Sequence, residues 1–399
     1  MISPSQRTAK FHYAIRNIIR AAEARQSAGR EVLPFNIGDP QAYGFRPPAH
    51  VVEPVKRALR DGFTGYAPSA GLWAAREAVA HYATTRAGAP TSPQDVIITA
   101  GASEAADLLL GALVNEGDEI LVPAPGYPIY PALLNKFGAT TRFYRLDEAR
   151  GWQPSLEEID SLVNKRTRAI ILINPNNPTG SVLSDEVTTQ FIELAARYNL
   201  LVIADEVYRE LCFGPTPTSA SVLAQARGVP LVTLESLSKT HMIPGWRAGW
   251  MRFTNTEKMP ELIAAVNRLA DGRLCAPTPA QYAFKPALTG SWDFLQEFTH
   301  TIKRRRDFAV KRVPETAGLS CVEPEAAFYL MVKVDQDKLA GRTDEEFVLE
   351  LLEETGVLFV QGSGFGAAPN AGYFRLVYLA NEELLDTAFR HMQRFLTAK

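Results

Sequence analysis

The sequence predicts an α/β protein: a large domain on a mostly parallel sheet, joined to a smaller α+β unit. Three observations predict it. Short apolar, β-branched runs alternate with longer amphipathic stretches between residues 95 and 254. Each of five runs is followed by a polar or glycine-rich segment. After Thr254 the pattern changes to long helical segments with a few short strands. At 399 residues, 46% hydrophobic and 22% charged, the chain is long enough for two domains and a sizeable core.

In chain order, "FHYAIRNIIRAAEARQ" reads as an amphipathic helix ahead of the sheet, which assigns the first 45 residues to the smaller unit. The runs "DVIIT" (95–99), "EILVP" (119–123), "AIILI" (169–173), "LLVIA" (200–204), "PLVTLES" (230–236) and "WRAGWMRF" (246–253) follow. Short, apolar and β-branched, they have the pattern of a mostly parallel sheet with helices on both faces. Helices are expected at 257–271, 279–289 and 293–313. Beyond them lie "LSCVEPEAAFYLMVKV", a helix near 344–355, "VLFVQG", "YFRLVYL" and a closing helix from Asn381. The expected division is a large domain at 46–290 and a small domain of 1–45 with 291–399.

The composition excludes several classes of function. A net charge of -2 gives no global attraction to nucleic acid or anionic membrane. The run Lys303-Arg304-Arg305-Arg306 falls in a segment where Phe298, Ile302, Ala309 and Val313 recur at helical spacing, so it reads as a solvated helix face. Cys212, Cys275 and Cys321 are far apart in sequence, which argues against a zinc site or a disulfide framework and for a reducing compartment, the cytoplasm. The N-terminus lacks an apolar core of signal-peptide length, and no run of about 18 apolar residues suggests a membrane span.

In parallel α/β sheets ligands sit at the carboxyl ends of the strands. Here those ends carry "TAGASEAA", "APGYP", "NPNNPTG", "DEVY" and "SLSK". Each is ambiguous alone. "DEVY" could be a solvated acid, "NPNNPTG" a tight loop, and "GASEAA" an ordinary helix start. Lys239, between two hydroxyl residues and ahead of Arg247, could be a surface charge or a desolvated amine that bonds a carbonyl. Together they match the needs of pyridoxal 5′-phosphate: an amine for its aldehyde, a carboxylate for its ring nitrogen, a hydroxyl or amide for its phenolic oxygen, a ring to stack on, and a basic, hydroxyl-rich phosphate cup.

The order "GASEAA", "GYP", "NPNNPTG", "DEVY", "SLSK", Arg247 and "YFRL" resembles the fold-type I pyridoxal-phosphate aminotransferases of class I/II. The resemblance runs from about residue 10 to the C-terminus. "YAIRN", "FNIGDP", "RLCAPTPAQ" and "VQGSGFG" are most similar to the alanine aminotransferase branch. It implies a seven-stranded, mostly parallel large-domain sheet. Lys239 would be the Schiff-base lysine and the base that moves the substrate proton. Asp205 would pair with the ring nitrogen, and Tyr208 with Asn177 would bond the phenolic oxygen. Gly101, Ala102, Ser103, Ser236, Ser238 and Arg247 would form the phosphate cup, and Tyr127 would stack on the ring unless it is simply a core aromatic. Arg375 would grip the substrate α-carboxylate, with Gly38 and Asn177 beside it.

Two positions depart from the branch: Glu235, where a small polar residue is usual, and Ala326, where glycine is common. The resemblance also implies a homodimer with shared active sites. Tyr66 of "GYAPSAG" would reach the partner's phosphate cup, and Arg273 would line the same boundary. Tyr13 and Arg16, three apart on one helix face, are candidates for the distal carboxylate of glutamate or 2-oxoglutarate, with a surface ion pair as the other reading of Arg16. The expected reaction is ping-pong transamination between alanine and 2-oxoglutarate.

The alternatives are a β-lyase or synthase of the same fold, or an aminotransferase preferring aspartate, aromatic or branched-chain donors. A regulator's effector domain would need a DNA-binding unit, for which the roughly 35 residues before "FNIGDP" are too few. A nicotinamide dehydrogenase would need G-x-G-x-x-G at a first strand–helix turn.

Overall fold

The structure, a computed structural model, describes residues 2–5 and 18–398. Among these, fourteen strands occur in chain order: β1 (Leu33–Pro34), β2 (Val96–Ala100), β3 (Glu119–Ala124), β4 (Thr140–Asp147), β5 (Gln153–Pro154), β6 (Thr167–Ile173), β7 (Leu201–Asp205), β8 (Leu231–Ser236), β9 (Ala248–Thr254), β10 (Leu319–Cys321), β11 (Tyr329–Val334), β12 (Val357–Leu358), β13 (Val360–Gln361) and β14 (Tyr373–Val377). The large sheet has the order β2-β9-β8-β7-β6-β3-β4-β5. Strands β3, β4, β6, β7 and β8 are parallel, while β9 runs antiparallel to both its neighbours. Seven strands were expected. The eighth is the two-residue β5, which turns back against the end of β4.

Alternation along each strand divides the side chains between two cores. Ile120 and Val122 of β3, Ile171 and Ile173 of β6 and Ile203 of β7 face a core shared with the helices Ala102–Leu113, Ile129–Phe137 and Pro260–Gly272. Leu121, Ile170, Leu172, Val202 and Ala204 face a second core with the helix Asp185–Tyr198. Both faces are covered, so the runs read as unbroken apolar sequence. Strand β4 is absent from the sequence-based series because its first half is exposed or half-buried and only Tyr144 and Leu146 are buried.

The second sheet, β10-β11-β14-β13, is antiparallel. Leu330, Val332 and Val334 of β11 and Phe374 and Leu376 of β14 point into a core with the helices Asp293–Glu315, Asp344–Thr355 and Glu382–Thr397. Ile18, Ala22, Leu33 and Phe35 join that core, and β1 pairs with β12. The opposite face, which carries Tyr329, Met331, Lys333, Tyr373 and Arg375, turns toward the large sheet. Met331 packs in the large-sheet core, and Glu148 bonds Lys333 at 3.0 Å and the Tyr373 hydroxyl at 2.6 Å.

The helix expected over 279–289 is two, Thr278–Gln281 and Phe284–Thr289. Pro286 lacks an N–H to give and is tolerated in a first turn, where that donor is free anyway, so a new helix starts ahead of it. The basic run lies on the helix Asp293–Glu315, whose Phe298, Ile302, Ala309 and Val313 are buried. Its charges are engaged within the chain: Lys303 with Asp307, Arg304 with Glu382, Arg305 with the Leu379 carbonyl and Arg306 with Glu323. No helix among the described residues is long and apolar enough to cross a membrane.

Candidate active site

The five strand ends open into one cavity of about 220 Å³. At its β2 end the chain turns at Gly101, which has φ 80° and caps the helix Ala102–Leu113. A side chain there would meet two obstacles: the left-handed backbone, and the Arg247 guanidinium, 2.4 Å from where a Cβ would sit. Ala102 and Ser103 present the first N–H groups of that helix to the cavity, where an anion is favoured. Ser236 and Ser238, at the end of β8, are buried and line the same wall. Arg247 is aimed by two carbonyls, those of Pro244 at 3.0 Å and Ala100 at 2.9 Å. The Ala100 amide in turn donates to Glu104 at 2.7 Å, and Glu104 pairs with Arg273 at 3.3 Å.

Asp205 ends β7 on the cavity floor. It accepts from the Tyr130 hydroxyl at 2.6 Å and the Val207 N–H at 3.3 Å. Burial raises its carboxyl to about 6, against the pull of these two donors, with the Glu235 charge adding to the rise. Tyr208 lines the cavity one turn on, its hydroxyl 2.8 Å from that of Tyr329. Arg375 is 1% exposed; it donates to Asn177 Oδ1 at 3.0 Å and to the Asn36 carbonyl. The rings of Tyr329 and Phe365 each lie 4.6 Å from its guanidinium carbon. Tyr127 and Gly38 also line the cavity.

Lys239 reaches into this space from the short helix Leu237–Thr240, and its amine donates to the Gly38 carbonyl at 2.8 Å. Burial lowers its proton affinity to about 8, with Arg375 and Arg247 adding to the effect and Asp39 opposing it. A lysine shifted in this direction has more of its amine in the neutral, nucleophilic form near neutral pH, which suits attack on a carbonyl.

Tyr66 is 85% exposed and away from this cavity. Arg273 points inward, donating to the Ile98 carbonyl at 2.8 Å and pairing with Glu104 beneath the cup. Tyr13 and Arg16 lie outside the described residues. Glu235 is buried behind the cup, accepting from Trp250 Nε1 at 3.0 Å and Arg252 Nε at 2.8 Å. Arg252, 0% exposed, also bonds Ser219 and Ser221 and approaches Glu206, which approaches Arg209. Ala326 is buried outside the cavity, its N–H on the Gly180 carbonyl. Tyr130, Tyr329 and Asn36 belong to the site and were not foreseen. "PGYPIY" carries a weak signal for Tyr130; Tyr329 has none, since only strand register brings it to Arg375.

The residues present fit pyridoxal 5′-phosphate. Asp205 has two neutral donors, and a cationic ring N–H is the partner that would hold it ionised. The helix start, two serines and Arg247 suit a phosphate dianion. The family described as aminotransferase class I and II matches residues 30–392, and the chain belongs to it. It is a pyridoxal-phosphate aminotransferase of fold type I, acting on amino acids and 2-oxo acids. Glutamate-pyruvate aminotransferase AlaA of Haemophilus influenzae is 35% identical over 391 residues, 96% of each chain. Alanine aminotransferase of Mycobacterium tuberculosis is 35% identical across 97% of this chain and 90% of its own. The solved structure of an alanine aminotransferase from Pyrococcus furiosus matches with a TM-score of 0.95 at 38% identity, covering 100% of both chains.

Proposed function

We propose that this enzyme exchanges the amino group between alanine and 2-oxoglutarate in a ping-pong cycle. One observation carries the catalytic part: the half-buried amine of Lys239 and the buried guanidinium of Arg375 open onto a single cavity floored by Asp205. The names of the relatives support the substrate pair. Bound in the cavity, pyridoxal 5′-phosphate supplies an aldehyde carbon and a ring that takes up electron density. Arg375 and Asn177 grip the substrate carboxylate, which turns Cα toward Lys239. The Lys239 amine then takes and returns the Cα proton. Asp205 holds a proton on the ring nitrogen, Tyr208 and Asn177 bond the phenolic oxygen, and Tyr127 covers the ring. Gly101, Ala102, Ser103, Ser236, Ser238 and Arg247 hold the phosphate.

The same reading makes the protein a cytoplasmic homodimer in which Tyr66 completes the partner's phosphate cup. Free Cys212, Cys275 and Cys321 are in keeping with a reducing compartment. The common core of Phe35 with the C-terminal helices supports the division into 46–290 and 1–45 with 291–399. Arg16, aided by Tyr13, pairs with the distal carboxylate of glutamate or 2-oxoglutarate and leaves alanine unaffected. Arg16→Ala should then cost about 2 to 4 kcal/mol in kcat/KM for those two substrates and little for alanine and pyruvate. An absorbance spectrum with a donor scan tests the whole reading: a yellow protein bleached by alanine and restored by 2-oxoglutarate supports it. Bleaching by aspartate or aromatic donors alone would overturn the substrate pair.

A further inference from the structure

Tyr329 is in none of the strand-end motifs, yet it touches Tyr208 of one of them, Gly38 and the carboxylate arginine. It opens β11, is buried, and lines the cavity. In the β11–β14 pairing it sits opposite Val377, while Arg375 sits opposite Met331, so Tyr329 and Arg375 are diagonal neighbours on one sheet face. Its ring covers the guanidinium, with 4.6 Å between ring centre and carbon. Its hydroxyl lies 2.8 Å from that of Tyr208, which comes from the loop after β7 of the other sheet. The same oxygen fills the space beside Gly38: a Cβ there would come within 2.3 Å of it.

We propose that Tyr329 is a positioning residue for transamination, its ring fixing the plane of Arg375 and its hydroxyl fixing the phenol of Tyr208. The proposal rests on the reading above, in which Arg375 takes the carboxylate and Tyr208 bonds the cofactor's phenolic oxygen.

The two contacts do different things. A phenol donates one hydrogen bond and accepts another. With the Tyr208 proton given to the phenolic oxygen, the Tyr208 oxygen is left to accept, and Tyr329 is the hydroxyl at bonding distance. Accepting that bond makes Tyr208 a stronger donor and so favours negative charge on the phenolic oxygen. Burial raises the Tyr329 phenol to about 12 and Tyr208 well above its ordinary value, so both keep their protons near neutral pH. The ring contact, by contrast, uses none of the guanidinium's hydrogen-bond donors. It orients Arg375 without displacing the bonds to Asn177 and the Asn36 carbonyl or competing with a carboxylate for donors.

The test compares Tyr329→Phe and Tyr329→Leu as holoenzymes. Two quantities are read: the pH midpoint of the bound cofactor's absorbance change, and the dissociation constant of propionate, a carboxylate without an amine. Tyr329→Phe loses the hydroxyl alone, so the midpoint should move up by roughly half to one pH unit, the loss of one hydrogen bond. Propionate binding should stay within about twofold. Tyr329→Leu should give the same midpoint shift and weaken propionate by about three- to thirtyfold, the range of a buried cation–ring contact.

An unmoved midpoint in Tyr329→Phe overturns the link to Tyr208, and unchanged propionate affinity in Tyr329→Leu overturns the link to Arg375. If Tyr329→Leu does not fold, Tyr329→Met carries the same measurement. Failure of the underlying reading shows separately, in unsubstituted protein that lacks a titrating cofactor band or in an Arg375→Ala variant that keeps the original propionate affinity.

Discussion

Burial brings the proton affinity of Lys239 down toward neutral pH, and the same burial makes its charge costly to keep. The folded protein binds its proton less tightly, at about 8, than the unfolded chain does at 10.5. Stability therefore rises with pH across that window, and below it the folded state carries the full cost. Lys239→Met should stabilise the cofactor-free protein at pH 7 by up to about 3 kcal/mol. The gain should shrink between pH 8 and 10.5, as urea titrations at several pH values would reveal. Lys239→Ala should retain cofactor in the phosphate cup but lose several orders of magnitude in turnover; more than about a hundredth of the original rate would contradict the assigned role. Gly38 makes the opposite demand, for the absence of a side chain. In Gly38→Ala the new carbon would stand 2.3 Å from the Tyr329 oxygen and 2.6 Å from Phe328 Cε2. Displacing those rings should cost about 1 to 3 kcal/mol and raise KM for every carboxylate substrate alike, which steady-state kinetics would show.

Among elements, the helix Ala102–Leu113 supports the phosphate cup through a relay rather than by its N–H groups alone. Arg273 holds Glu104, Glu104 holds the Ala100 amide, and the Ala100 carbonyl aims Arg247. Glu104→Ala should weaken cofactor binding roughly fivefold, the loss of one capping bond of about 1 kcal/mol. The turnover of fully loaded enzyme should barely change, and an equal fall in both would place Glu104 in the chemistry instead. How far these elements could be read from sequence follows from what covers them. Strands β3, β6, β7 and β8 are buried on both faces and stand out as apolar runs. Strand β4 has a half-covered face and passes for a loop. The strand-end motifs pointed to Lys239, Asp205, Tyr208, Asn177 and Arg247, which the fold gathers around one cavity. Tyr329 could not be found that way: its neighbour Arg375 lies 46 positions on, and only the antiparallel register of β11 and β14 joins them.

At the scale of the whole molecule, Leu59, Phe63, Tyr66, Trp73, Leu269 and Leu274 are large apolar side chains left exposed on the single chain. In the proposed dimer these side chains are candidates for burial against a partner copy. Light scattering should give twice the mass of one chain, and Tyr66→Phe should weaken cofactor binding about tenfold by removing one charge-assisted bond from the neighbouring site. A single-chain mass in active enzyme would contradict the shared site. The buried charges behind the cup bear on the ancestry of the sequence. Replacing Glu235 alone leaves Arg252 sealed in the interior without its 2.8 Å acceptor, a loss of about 3 to 5 kcal/mol that a protein of ordinary stability can ill absorb. Replacing both removes the stranded charge, though it also takes the acceptor from Trp250 and the donor from Ser219, Ser221 and Glu206. Descendants of this gene should therefore pass on Glu235 and Arg252 as a single character, retained together or lost together.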